Sequence, residues 1–197
     1  MLSGSTISLG PLVPNDFLPL FRWSNDLAAS RLNAAYRPVD WTAHKAWCEN
    51  IGRDASKVIF AVRRHGVPDI VGYIEIVNIH PVHRSAQLGI RIGEEKDRGK
   101  GLGREAVQLA LYFCWNHLNL HRVALTTLRH NERALHAFRA AGFRKEGILR
   151  QAEFIDGDWV DIVLMAALRP APGQQPLPST GVDIKMTMGE PVRSPLG

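Results

Sequence analysis

Two spacings of apolar residues alternate along this chain. Hydrophobic side chains at every second position mark strands, and recurrence at three and four marks helices. Positions 7–9 form a short strand. Pro14-Asn15-Asp16 reads as a helix start, and Phe17, Leu20 and Phe21 share one face of the helix that follows. A second helix follows Asp40, with Thr42 as its candidate cap, and runs to about Ile51. Strands are predicted over 58–62 and 70–79, turning at Gly66 and Pro68, and over 84–92 through Ala86, Leu88, Ile90 and Ile92. The segment 102–118 is a long helix with apolar positions on most sides, among them Val107, Ala110, Leu111, Cys114 and Trp115. A β-branched strand covers 121–128. Asn131 then caps a helix carrying Ala134, Ala137, Phe138 and Ala141, and Gly142 ends it. Segments 143–154 and 159–168 form a hairpin around Asp156-Gly157-Asp158. The order βααβββαβαββ predicts an α/β (α+β) fold with a single mixed sheet and no internal repeat.

Composition changes after Arg169. Positions 170–197 hold six prolines and four glycines, so the chain divides into a folded domain, 1–169, and a Pro/Gly-rich C-terminal tail, 170–197. Within the tail, G-V-D-I-K-M-T-M at 181–188 alternates apolar and polar residues. It reads either as an unstructured segment or as an edge strand added to a partner subunit, which is compatible with a homodimer.

The whole chain, 197 residues with 45% hydrophobic and 22% charged, has the composition of a folded protein rather than a disordered one. No run approaches the ~18–20 apolar residues that span a bilayer. The N-terminus lacks a basic region followed by a long apolar stretch, so no secretory signal is expected and the cytoplasm is the simplest compartment. Two cysteines, Cys48 and Cys114, exclude a disulfide scaffold and disfavour a thiolate metal cluster; no metal site is expected. The net charge of +5 favours anionic partners. No block of five or six like charges occurs, which argues against a nucleic-acid arm.

The basic excess gathers at 91–104, R-I-G-E-E-K-D-R-G-K-G-L-G-R, with five basic residues among glycines. Arg98-Gly99-Lys100-Gly101-Leu102-Gly103 lies between a strand and the long helix. Glycines let the backbone turn tightly and approach a ligand. The helix start offers unpaired N–H groups and a positive dipole end. With Arg98, Lys100 and Arg104 these make an anion cradle suited to a nucleotide pyrophosphate. The segment is neither a G-x-x-x-x-G-K-[ST] loop nor a good dinucleotide fingerprint, since its glycines alternate. A glycine-rich turn with incidental surface charge is the plainer alternative.

R-G-K-G-L-G at 98–103 has the form [RQ]-x-x-G-x-[GA], and N-E-R-A-L-H-A-F-R-A-A-G-F follows at 131–143. In both motifs, their spacing and the strand order, the chain resembles the GNAT family of N-acetyltransferases over about residues 5–168. G-Y-I-E-I-V-N-I-H-P-V-H-R-S-A at 72–86 and I-D-G-D-W-V-D-I-V-L-M at 155–165 are most similar to the spermidine and amino-sugar enzymes of that family. The resemblance implies a mostly antiparallel, splayed sheet flanked by helices, with acetyl-CoA as acyl donor lodged in the opening. It implies that backbone groups of Ile90, Arg91 and Ile92 hold the pantetheine arm. Residues from Arg98 through Gly99, Lys100, Gly101, Leu102, Gly103 and Arg104 would hold the pyrophosphate. Asn131 would reach the CoA arm besides capping its helix, and Phe138 would stand on the CoA side.

The implied reaction is direct acetyl transfer from the thioester to a primary amine, whether small amine, amino sugar or protein N-terminus. An alkylamine has a pKa of about 10, so a base must free its lone pair. Glu75 in the apolar strand Tyr73-Ile74-Glu75-Ile76-Val77 is the candidate base, its pKa raised if buried; a solvent-facing strand residue is the alternative. His80 and His83 follow as candidate proton relays. The family's tyrosine acid is Phe138 here, which leaves Tyr112, Tyr73, His136 or water for that role. It also motivates a second hypothesis, a non-catalytic or slow acyl-CoA-binding regulatory module. Asn78, His80 and the basic balance disfavour a polyamine acceptor and fit an uncharged or anionic amine. Trp23, Trp41 and Trp47 are candidates for an acceptor wall or for core packing.

Overall fold

The computed structural model describes residues 1–32 and 36–171, with the side chains of 29 and 30 left out. The predicted tail beyond residue 171, including the alternating stretch 181–188, lies outside the described residues. One eight-stranded sheet organises the rest. Its strands are β1 (Leu2–Ser3), β2 (Ile7–Gly10), β3 (Val58–Arg64), β4 (Ile70–His80), β5 (Ser85–Ile92), β6 (Arg122–Leu128), β7 (Arg144–Ile155) and β8 (Asp158–Leu168). Their spatial order is β1-β2-β3-β4-β5-β6-β8-β7. Every neighbouring pair is antiparallel except β5 and β6, which run parallel. The mixed, mostly antiparallel sheet expected from the sequence is therefore present.

Helices α1 (Phe17–Ser24), α2 (Leu27–Ser30), α3 (Trp41–Asn50), α4 (Leu102–Asn116) and α5 (Glu132–Ala140) flank it. A 3-10 turn over Pro14–Asp16 leads into α1. Asp16 is buried there because it has two partners: its carboxylate accepts the Val13 N–H at 2.8 Å and pairs with Arg63. α1 turns Leu20 and Trp23 inward onto a cluster with Cys48, Ala61 and Ile70. The cap of α3 is Asp40, which accepts the Ala43 N–H at 2.9 Å; Thr42 lies inside the helix. The correction follows from geometry, since Asp40 has the extended backbone of a cap residue.

α4 is buried on most sides, through Leu102, Ala106, Val107, Leu109, Ala110, Leu111, Cys114 and Trp115. It packs in the main core with Ile74 and Ile76 of β4, Leu88 of β5, Val123 of β6 and Met165 of β8. α5 begins at Asn131, whose side chain accepts the Ala134 N–H at 3.1 Å. It ends at Gly142, φ +100°, where the Phe143 N–H reaches back to the Phe138 carbonyl at 3.0 Å. Strand β1 and helix α2 carry too few residues to show a period and were not expected.

Candidate active site

The parallel pair is where the sheet opens. β5 and β6 are paired only at Ser85↔Arg122, Ala86↔Val123 and Gln87↔Ala124. Beyond Gln87 the strands part, although β5 stays paired with β4 as far as Gly72↔Ile92. The Gly93 N–H donates to the Val71 carbonyl at 3.0 Å. Antiparallel strands alternate the side on which each residue bonds. Gly89 and Arg91 therefore bond toward β4, while Ile90 and Ile92 present their main-chain groups to the opening. The Ile92 carbonyl confirms this direction, because it accepts from Arg98 Nε at 3.2 Å. Among the expected pantetheine contacts, Ile90 and Ile92 face the cleft and Arg91 does not.

The cradle lies at the wide end of that opening. Gly99 and Gly101 have φ +77° and +82°, a region that a side chain disfavours, and a Cβ at either would meet no atom within 4 Å. Gly101 is the N-cap of α4 and supplies no side-chain cap. The first amides of a 15-residue helix thus lack a capping side chain and carry its positive dipole end. Lys100 and Arg104 are exposed beside them. Arg98 is engaged otherwise: its guanidinium donates to the carbonyls of Ile92 and Gly93, at 3.2 and 2.5 Å, and folds the loop against the end of β5. Trp23 fixes the same loop from the other side, donating its indole N–H to Glu94 Oε1 at 2.9 Å. A polyphosphate ester fits such a start. The N–H groups supply donors, and the bare glycines leave room for its oxygens.

Glu75 stands at the narrow end. Its Cα partner is Gly89, two residues past the last β5–β6 pair. A Cβ at Gly89 would come within 2.6 Å of Glu75 Oε1, so glycine there makes room for the carboxylate. Burial raises the Glu75 pKa, and the nearby Lys57 charge lowers it only in part. Tyr73 shares this face and is held protonated by burial, with the Glu75 charge adding to the effect. The other candidate acids sit elsewhere: Tyr112 lies against His117 at the far end of α4, and His136 is exposed on α5.

Several expected residues fall outside this arrangement. His80 and His83 stack on each other, centroids 4.1 Å apart, at the exposed turn joining β4 to β5. His80 is five residue steps beyond Glu75, roughly 17 Å at the rise of a strand, and the turn adjoins the closed end of the β5–β6 pair. The structure thus brings neither histidine beside Glu75. Asn131 has both ends of its amide engaged, accepting from Ala134 and donating to the Leu32 carbonyl at 3.0 Å. Phe138 is buried, its ring 6.0 Å from that of Phe143. Trp23 belongs to the core. Trp41 and Trp47 remain half-exposed around His44, and Trp41 borders a surface concavity of about 560 Å³ with Phe17 and Leu18.

Alternation in β4 puts Tyr73 and Glu75 on one face, but nothing local placed Arg91 on it with them. One signal was available: Arg91 is the single charged residue in the strand S-A-Q-L-G-I-R-I. Both cysteines are buried, with pKa pushed up to about 11 for Cys48 and about 12 for Cys114, so neither supplies a thiolate near neutral pH. No group of three or more metal-ligating side chains occurs among the described residues. No helix among them is long and apolar enough to cross a membrane.

A splayed sheet with an uncapped glycine turn at its mouth agrees with what the chain matches. The family model for the acetyltransferase (GNAT) domain covers residues 7–144, and the chain belongs to that family. The spermidine N(1)-acetyltransferase of Vibrio cholerae is 35% identical over 113 residues, 55% of this chain and 65% of the relative. The [ribosomal protein uS5]-alanine N-acetyltransferase of Escherichia coli is 29% identical over 134 residues, 68% of this chain and 69% of the relative. The match thus spans just under two thirds of the length of the spermidine enzyme. A crystal structure of the Vibrio cholerae spermidine enzyme with CoA and spermine superposes with a TM-score of 0.77 at 25% identity. That superposition covers 82% of this chain and 95% of the other.

Proposed function

We propose that this chain is an acetyl-CoA-dependent N-acetyltransferase that acetylates a primary amine directly, in a ternary complex. The observation that carries the reading is the placement of Glu75 at the vertex of the β5–β6 opening, with the uncapped start of α4 at its mouth. Acetyl-CoA would supply a thioester carbonyl that the amine nitrogen attacks, breaking the C–S bond to give an amide and the CoA thiol. The amides of residues 102–104 bind its pyrophosphate, aided by Lys100 and Arg104. Main-chain groups of Ile90 and Ile92 hold the arm as an added strand edge would, and the Ile90 N–H, nearest the vertex, faces the developing oxyanion. Glu75 takes the proton from the acceptor ammonium, directly or through water; its raised pKa brings it closer to that task. The buried, protonated thiols argue against a cysteine acyl-enzyme and so for direct transfer.

Phe138 favours a second reading, an acyl-CoA-binding module with slow turnover or none, because a phenyl ring donates no proton to the departing thiolate. A thiol of pKa about 8.5 leaves tolerably without an acid, so catalysis remains the first reading. One experiment separates them. Calorimetry should give a 1:1 heat with CoA, and acetyl-CoA mixed with a panel of amines should release free thiol continuously. Binding without thiol release from any amine would establish the module, and no heat with CoA would overturn both.

A further inference from the structure

The side chain of Arg91 has no role in the scheme above. Ile90 and Ile92 turn their side chains toward α4, where both approach Gly103. Alternation sends the intervening Arg91 to the opposite face of the sheet. There it stands directly across from Tyr73, whose hydroxyl its guanidinium adjoins. Glu75 is the next residue of β4 on that face, in the diagonal relation that puts Cα atoms ~7–8 Å apart. Trp23 and Leu20 of α1, Cys48 of α3 and Tyr73 pack together over this side.

Arg91 is a half-buried cation. Its Nε is buried and meets no hydrogen-bond acceptor. None of the ion pairs among the described residues includes it. Glu75, on the same face, forms no ion pair with it. A covered guanidinium is costly unless an anion satisfies it. The cleft for the acyl donor does not provide one, since the cradle amides and Ile90 lie on the α4 side.

We propose that Arg91 is an acceptor-binding residue and that the acceptor is a primary amine bearing an oxyanion, carboxylate or phosphate, several bonds from its nitrogen. This rests on the acetyl-transfer reading. The amine sits at Glu75 and the oxyanion takes the planar fork of Arg91, which matches either group with two parallel hydrogen bonds. A polyamine placed along the same line would set an ammonium beside the guanidinium. The inference thus separates this chain's acceptor from the spermine in the related structure.

The test compares wild type with Arg91→Met and Arg91→Glu on four amines: 4-aminobutyrate, glucosamine 6-phosphate, 2-phenylethylamine and spermidine. Wild type should favour one of the first two, and which one distinguishes carboxylate from phosphate. Arg91→Met should lower the ratio of kcat/KM for that amine over 2-phenylethylamine by about 30-fold or more, mainly through KM, as expected when one partner of a covered charge pair is removed. Arg91→Glu should move the preference toward spermidine. Arg91→Lys should recover part of the ratio, and it stands in for Arg91→Met if that variant fails to fold. A wild-type preference for spermidine or 2-phenylethylamine would overturn the proposal, as would a ratio that does not move. So would a loss of CoA affinity in Arg91→Met, which would put Arg91 in the donor site. If wild type releases thiol with no amine, the acetyl-transfer reading fails by itself. Calorimetry of the four amines on the CoA complex then decides the role of Arg91: selective loss of oxyanion binding in Arg91→Met supports it, and equal binding overturns it.

Discussion

A carboxylate set between Ile59 on one side and Gly89 on the other keeps little of its water shell, and Glu75 is such a group. Its folded-state pKa lies above the unfolded value of 4.5. Its favourable contribution to stability is therefore complete below pH 4.5 and is lost as pH rises through the folded pKa. Glu75→Gln keeps the shape and never ionises. At pH 8 the variant should be at least as stable as wild type, and its advantage should shrink as the pH falls below 4.5; thermal melts at both pH values check this. Turnover should fall about 100-fold or more, the usual scale for a lost general base, while CoA affinity stays within about twofold. A variant that loses stability at pH 8 would mean the carboxylate is paired in the folded protein. A variant that keeps its turnover would remove Glu75 from the mechanism.

Helix α4 was legible from its composition, and its start from the glycines, because both signals are local. Asn131 and Gly142 marked α5 for the same reason. Other features were not legible, and the cause is physical. That β5 pairs with β6 for three residues and then leaves it is a matter of register between segments some thirty-five residues apart, which no local period encodes. The side of β5 on which Arg91 bonds follows from the Gly93–Val71 hydrogen bond rather than from the strand itself. His80 and His83 suited a relay chemically but were exiled by the length of β4. The cradle also yields a prediction about α4 as an element. Gly101→Ala should cost about 1–2 kcal/mol of stability, the penalty of a left-handed backbone, because its Cβ meets open space and adds no clash. Gly101→Asp carries the same backbone strain, but its carboxylate competes for the helix-start amides. Its CoA affinity should fall at least about 10-fold below that of Gly101→Ala at similar stability, as measured by calorimetry and denaturant unfolding. Equal affinities would mean the phosphates do not sit at this helix start.

Among the described residues, β5 and β6 leave a seam of the sheet unpaired beyond Gln87, and that seam joins the two ends of the candidate site. Everything around it is closed: β4 pairs along β5, β8 pairs along all of β6, and α4 covers one face. The opening is thus framed by paired strands and a packed helix, and in the proposed complex the donor would complete the sheet where β6 departs. This has a direct signature in amide exchange. The Gly89 and Arg91 amides bond into β4 and should exchange slowly with or without ligand. The Ile90 and Ile92 amides face the seam and should exchange fast in the free protein, with marked slowing for at least Ile90 when CoA is added. Residue-resolved exchange by NMR gives both patterns in one experiment. If Ile90 is already protected without ligand, the seam is closed in solution and the donor must enter elsewhere. If CoA protects the amides of residues 102–104 alone, the pyrophosphate is held but the arm does not lie along β5, and Glu75 loses its place beside the thioester.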